Sequence, residues 1–195
     1  MRGSEATDFT NVTFVFLDRD GVINRKPAAE RFVTCWDEFE LLPGVEDAIA
    51  ALNRSHRKVI VVTNQRGVAL GLYSLDELAE IHNRLERRLA LRGAHLDAIF
   101  VCPHDEGECD CRKPRTGLFR QAFRDFPDAG AENSVMIGDS LRDIEGGRNA
   151  GLRTVFIDEG CGAPSEEHRR ARELADLSVT SLADFVNRYM NSVIG

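Results

Sequence analysis

Four short segments of this sequence carry residue types that can hold or move an anionic group. The first is Leu17-Asp18-Arg19-Asp20-Gly21. In an extended segment alternate residues face the same way, so Asp18 and Asp20 share a side. Carboxylates that close repel unless a cation or a shared proton relieves them. Alone, the pair reads equally as an acidic turn. The second segment, Val62-Thr63-Asn64-Gln65, offers a hydroxyl and two amides suited to phosphate oxygens or substrate hydroxyls. The third, Arg112-Lys113-Pro114, sets a guanidinium fork beside an ammonium point charge, a pairing that can bind an anion. The fourth is Gly138-Asp139-Ser140, with Asp143 one helical turn on. Asp139 with Asp18 would suit a hard cation such as Mg²⁺. Asp143 would also complement a helix N-terminus.

A fifth cluster has softer ligands. Cys102-Pro103-His104 followed by Cys109-Asp110-Cys111 gives a C-x-H-x4-C-x-C pattern. Three thiolates and one imidazole match a closed tetrahedral zinc site, with no open position for catalysis. The chain has five cysteines, an odd number. Three of them lie within ten residues, beside a histidine, which points to a metal cluster rather than a disulfide framework. Cys35 and Cys161, remote in sequence, read as ordinary thiols.

The elements that must position these groups follow from periodicity. Apolar β-forming runs at Thr13 to Leu17, Lys58 to Thr63, Ala98 to Val101, Ser134 to Ile137 and Thr154 to Ile157 predict five buried strands. Helical spacing predicts helices over Gly44 to Arg54, Ser74 to Arg92, Leu118 to Phe126, Leu141 to Ala150, Glu166 to Ala175 and Leu182 to Met190. Ser74 with Glu77 reads as a capping box. Gly151 ends the helix Leu141 to Ala150. Residues 102–114 form an irregular, ligand-rich loop. The alternation implies a doubly wound α/β fold with a mostly parallel sheet and helices on both faces. Ligands bind such sheets outside the carboxyl ends of the strands, where these motifs fall.

The chain has 195 residues, which suits one domain over 1–195. A net charge of −7 argues against a nucleic-acid backbone or an anionic membrane as partner, but not against a small anionic substrate. The polar N-terminus carries no secretory pattern and no stretch is apolar enough to span a bilayer, so we expect a cytoplasmic protein, and a monomer. Trp36 is expected to pack a flap against the core, and His56, His82, His95 and His168 to lie at the surface. Gly146-Gly147, costly inside a helix, suggests close packing near the site.

The ordered set FLDRDGVIN, VVTNQRGV, CRKP and IGDSLRDI resembles the haloacid dehalogenase superfamily of aspartate-nucleophile phosphatases, over roughly Phe14 to Ile157. The resemblance implies that Asp18 is the nucleophile and forms an aspartyl phosphate. It implies that Asp20 is the acid that protonates the leaving oxygen and then the base that activates water. Mg²⁺ would be held by Asp18, the main-chain carbonyl of Asp20 and Asp139, with Asp143 in support. Thr63 and Lys113 would hold the transferring phosphoryl oxygens. Asn64, Gln65 and Arg112 would bind substrate.

The CPH…CDCRKP block is similar to one branch of that superfamily, whose members act on heptose bisphosphate or histidinol phosphate. The runs NQRGVALGLYS and INRKPAAERFVTCWDEFELLPGV resemble the heptose form, although Leu70 stands where that pattern has Arg. The short His104-to-Cys109 spacing resembles the histidinol-phosphate form. Spacing leaves no room for a large cap domain. The expectation is hydrolysis of the 7-phosphate of D-glycero-D-manno-heptose 1,7-bisphosphate, with histidinol phosphate as the alternative substrate. A zinc-stabilised binding module without catalysis is the reading from another class, and the presence of every implied catalytic group argues against it. A nucleic-acid 3′-phosphatase would need a basic, aromatic-lined groove, which the acidic balance disfavours.

Overall fold

The computed structural model describes residues 8–28, 31–160 and 164–190. Its centre is a parallel sheet of six strands, ordered β3-β2-β1-β4-β5-β6. The strands are β1 (Phe14–Leu17), β2 (Lys58–Asn64), β3 (Ala98–Cys102), β4 (Ser134–Gly138), β5 (Arg153–Ile157) and β6 (Leu177–Val179). The helices are α1 (Val45–Arg54), α2 (Leu75–Ala90), α3 (Gly117–Asp125), α4 (Leu141–Asn149), α5 (Glu166–Leu174) and α6 (Leu182–Phe185), the last running into a π-helical turn, Val186–Met190.

Alternation along β1 divides the core. Val15 and Leu17 pack on one face with residues of α1, α2 and α6, among them Ile49, Leu85 and Phe185. Phe14 and Phe16 pack on the other with Leu118 and Phe119 of α3. Ile144 of α4 and Ala171 of α5 meet around Phe156. Both faces are therefore covered, which is why the strands read as continuous apolar runs.

Register brings the motifs together. Leu17 pairs with Val61 on one side and Ile137 on the other, so β1 and β4 end level. The Asp18 N–H donates to Ile137 O at 3.0 Å, which carries the ladder one residue further. The chain winds outward through β2 and β3 on one side of β1 and through β4, β5 and β6 on the other. The switch in direction lies between β1 and β4, where Asp18 and Asp139 emerge.

The Ser74–Glu77 capping box forms as expected, with Glu77 N–H donating to Ser74 Oγ at 3.1 Å and Ser74 N–H to Glu77 Oε2 at 2.8 Å. Gly147 lies against Met136 and Thr154, where a Cβ would stand 2.8 Å from both side chains. Trp36 stacks on Phe39 with ring centroids 5.1 Å apart and packs against the core. Two expectations are corrected. Residues Leu177–Val179, placed between two helices by the sequence reading, form the edge strand β6. His82 is buried rather than superficial, with Nε2 3.4 Å from Arg19 Nη1. His168 also has a partner, Asp158 Oδ1 at 3.1 Å. Cys35 is exposed with a free thiol, and Cys161 lies outside the described residues. Among the described residues, no helix is long and apolar enough to cross a membrane.

Candidate active site

A cleft of about 630 Å³ opens at the carboxyl ends of the strands, with Asp18 and Asp20 among the residues that line it. Asp18 sits at the mouth of β1. Its Oδ1 accepts a hydrogen bond from Lys113 Nζ at 2.9 Å. Lys113 is buried and reaches Asp143 Oδ1 at 2.5 Å and the carbonyl of Val62 at 2.6 Å. Asn64 holds the lysine backbone at both ends: its Oδ1 accepts from Lys113 N–H at 3.0 Å and its Nδ2 donates to Lys113 O at 3.2 Å. Asp143 is held in turn by Ser140, whose Oγ and N–H donate to Asp143 Oδ2 at 2.6 and 3.1 Å. A carboxylate on the first turn of α4 thus caps its helix and anchors the lysine.

Asp20 points to a different set of partners. Arg19, buried and aligned by Phe39, donates to both carboxylate oxygens at 2.9 and 3.0 Å. Asn24 Nδ2 donates to Asp20 Oδ1 at 2.9 Å and Gln65 Nε2 to Asp20 Oδ2 at 3.1 Å. Gln65 is itself fixed, donating to Thr63 Oγ1 at 2.9 Å and accepting from the Tyr73 hydroxyl at 2.7 Å.

These surroundings split the two carboxyl groups of the DxD. Burial, reinforced by the nearby Asp143 charge, raises Asp18 to about 7 despite the opposing pull of Lys113. Burial would also raise Asp20, but the Arg19 charge and the hydrogen bonds from Asn24, Arg19 and Gln65 outweigh it and hold Asp20 below the usual range. In the metal-free site this leaves Asp18 the more readily protonated of the two, and a cation held beside it would favour the ionised form that a nucleophile needs.

Asp139 completes the acidic corner. Gly21, at a φ of 89°, faces it closely enough that any Cβ there would collide with its carboxylate. Asp139 Oδ2 accepts from Lys26 Nζ at 2.7 Å. Its Oδ1 is buried with no hydrogen-bond partner among the described residues. Burial raises Asp139 to about 6, with Lys26 opposing. One oxygen each from Asp18, Asp139 and Asp143 lie within 4.8 Å of one another. Hard oxygen donors, an orphaned buried oxygen and mutual repulsion are what a divalent cation would relieve, so the residues fit Mg²⁺.

Cys102 Sγ, His104 Nδ1, Cys109 Sγ and Cys111 Sγ likewise gather within 4.8 Å. Their sulfur separations, 3.1 to 3.5 Å, are far too long for a disulfide. Burial pushes the Cys102 thiol up. Cys109 is drawn down to about 7, because burial is outweighed by hydrogen bonds from Cys111, the Arg112 backbone and Cys102. The four ligands fit zinc, and Arg112 and Lys113 follow directly.

The structure therefore brings Asp18, Asp20, Asn64, Gln65, Arg112, Lys113, Asp139 and Asp143 to one cleft. Thr63 is buried beneath it, its hydroxyl engaged by Gln65. Leu70, where the resembling pattern has Arg, is exposed outside the cleft lining. Sequence reasoning missed Lys26, Arg19 and Tyr73 as parts of the site. Lys26 lies in an aperiodic segment with no local signal, and Tyr73 is eight residues from the glutamine that it fixes.

Known proteins resemble this chain in sequence and in fold. A HAD-hydrolase-like family model matches residues 110–185. The chain is 38% identical over 172 residues to D-glycero-alpha-D-manno-heptose-1,7-bisphosphate 7-phosphatase of Mycobacterium bovis, covering 88% of each chain. It is 41% identical over 150 residues to the corresponding beta-heptose enzyme of Bordetella bronchiseptica, covering 76% of this chain and 82% of that one. The crystal structure of the D,D-heptose 1,7-bisphosphate phosphatase from B. bronchiseptica, complexed with magnesium and phosphate, superposes with a TM-score of 0.81 at 32% identity. That match covers 93% of this chain and all of the other. On these grounds the chain belongs to the haloacid dehalogenase-like phosphatases, in the family of the heptose-1,7-bisphosphate 7-phosphatases.

Proposed function

We propose that this enzyme hydrolyses the 7-phosphate of D-glycero-D-manno-heptose 1,7-bisphosphate through an aspartyl phosphate on Asp18. The observation that carries the reading is the Asp18 carboxylate, paired with Lys113 at 2.9 Å on the floor of an open cleft that Asp20 also lines. In the first step an Asp18 oxygen attacks phosphorus and the bond from phosphorus to the C7 oxygen breaks. The leaving oxygen takes a proton from Asp20. In the second step Asp20 accepts a proton from water, which attacks phosphorus and frees Asp18 and inorganic phosphate. Lys113 balances charge on Asp18 and on the transferring oxygens.

Gln65, Asn24 and Arg19 keep Asp20 aimed in both steps, and Asn64 keeps Lys113 in register. Thr63 supports this set from beneath the cleft, its hydroxyl accepting from Gln65 Nε2 at 2.9 Å. Magnesium, when bound by Asp18, Asp139 and the main-chain carbonyl of Asp20 with Asp143 in support, supplies positive charge that offsets repulsion between a carboxylate and a phosphate dianion. Cys102, His104, Cys109 and Cys111 would hold a structural zinc, which would fix residues 102–114 and so aim Arg112 at the substrate.

The test is phosphate release by purified protein with Mg²⁺. Both anomers of the heptose 1,7-bisphosphate are compared with the heptose 7-phosphate and histidinol phosphate. A clear preference in kcat/KM for either bisphosphate is expected. A preference for histidinol phosphate would overturn the substrate assignment, and no turnover of any of them would overturn the reaction.

A further inference from the structure

The mouth of the cleft holds a charged group that the reaction does not use. Glu106, between the zinc-ligand candidates His104 and Cys109, places Oε1 2.7 Å from Arg142 Nη2 and 3.7 Å from Arg112 Nη2. Arg142 comes from α4 and Arg112 from the end of the cysteine loop, so one carboxylate bridges two separate walls. All three residues line the cleft that contains Asp18.

The balance of charge here is uneven. Two guanidinium groups share one carboxylate that is itself 53% exposed. The Arg112 side chain is only 11% exposed, and its Nη1 is buried without a hydrogen-bond partner among the described residues. A buried guanidinium N–H left unpaired is costly, and a ligand oxygen would satisfy it. Arg142 stands on the first turn of α4, where the helix dipole disfavours a cation. A cation kept there against that field is explained by an anion that comes to it. A phosphate dianion matches two guanidinium forks better than a single carboxylate does.

We propose that Arg142 is a specificity-determining residue, which joins Arg112 in seating the phosphate that is not cleaved, and that Glu106 is the internal counter-ion displaced when that phosphate arrives. This rests on the bisphosphate reading above. A monophosphate has no group with which to displace Glu106, so the latch favours doubly charged substrates. The device selects by competition: the carboxylate carries one negative charge and the incoming phosphate up to two.

The experiment measures kcat/KM for the heptose 1,7-bisphosphate and for the heptose 7-phosphate. It uses the wild type, Arg142→Met, Glu106→Gln and the double variant, all in the holoenzyme. Arg142→Met is expected to lower the ratio of the two kcat/KM values about tenfold, with the loss falling on KM for the bisphosphate. Glu106→Gln is expected to raise the ratio about two- to fivefold, because an exposed ion pair is weak. That gain should vanish in the Arg142→Met background, a dependence that a merely structural role would not produce. A ratio unmoved by Arg142→Met, or lowered by Glu106→Gln, overturns the inference while leaving the substrate assignment intact. A wild type that turns over the 7-phosphate as well as the bisphosphate overturns both.

Discussion

Lys113 and Asp18 meet at 2.9 Å although 95 residues separate them, and the same ammonium group reaches Asp143 at 2.5 Å. Lys113 and Asp143 are each 1% exposed. One buried cation therefore holds one carboxylate at the end of β1 and another on the first turn of α4. Removing it strands both charges. Lys113→Met is expected to cost about 3–5 kcal/mol of stability as well as turnover, because breaking a buried pair leaves the partner uncompensated. Urea unfolding of the metal-free variant checks this. A loss below about 1 kcal/mol would mean that the carboxylates find protons or water instead.

Asp18→Asn separates function from stability. Turnover should fall by about four orders of magnitude or more, since an amide cannot serve as the nucleophile. Stability should move the other way. The Asp18 carboxyl is raised from 3.8 to about 7 by burial and by Asp143, so folding disfavours its charged form. That cost is absent below about pH 4, grows as pH rises through the interval and is complete above about pH 7. In chelator, Asp18→Asn should match the wild type in Tm near pH 4 and exceed it near pH 8. Saturating Mg²⁺ should shrink or reverse the gap. A Tm difference that is constant with pH in chelator would show that Asp18 does not carry this strain.

The strands and most helices were legible because one physical rule governs them: a parallel sheet covered on both faces needs apolar runs, and those runs end at the chemistry. β6 escaped because it is three residues long at an edge, with Leu177 and Ser178 partly exposed, only Val179 buried and no apolar run. His82 escaped because its helical neighbours Leu78, Ile81 and Leu85 account for the apolar stripe without it. Its neutral form is kept by burial and by the adjacent Arg19 charge, which lower it to about 4, and no spacing rule reports such a neighbour. Glu106, Arg142 and Lys26 depend on contacts between loops and helix ends, and those have no period.

The Gly146-Gly147 pair, in contrast, was legible as a signal without its cause. The two positions should now behave differently. A Cβ at Gly147 would press on Met136 and Thr154 at 2.8 Å, whereas one at Gly146 would meet Phe119 at 3.4 Å and Lys113 and Pro114 at 3.5 Å. Gly147→Ala is expected to destabilise by about 1–3 kcal/mol through overpacking. Gly146→Ala is expected to be neutral or to stabilise by up to about 1 kcal/mol, through helix propensity. Denaturant midpoints decide it, and equal effects at the two sites would refute the packing argument.

Zinc removal should act on binding more than on chemistry. Lys113 and Arg112 are neighbours, but they are held differently. Lys113 is clamped by Asn64 at both its N–H and its carbonyl and by the Val62 carbonyl. The Arg112 side chain instead pairs with Glu106 of the same loop, at the longer distance of 3.7 Å. Loosening residues 102–111 should therefore leave the lysine in place and release the arginine. We expect about one zinc per chain by elemental analysis, lost in Cys109→Ser. The loss should lower Tm by about 4–8 °C, as for a change of about 2 kcal/mol in a chain of this size. KM for the bisphosphate should rise about tenfold while kcat changes less. If kcat collapsed and KM held, the loop would be positioning Lys113 after all, and the Asn64 clamp would be too weak to hold it alone.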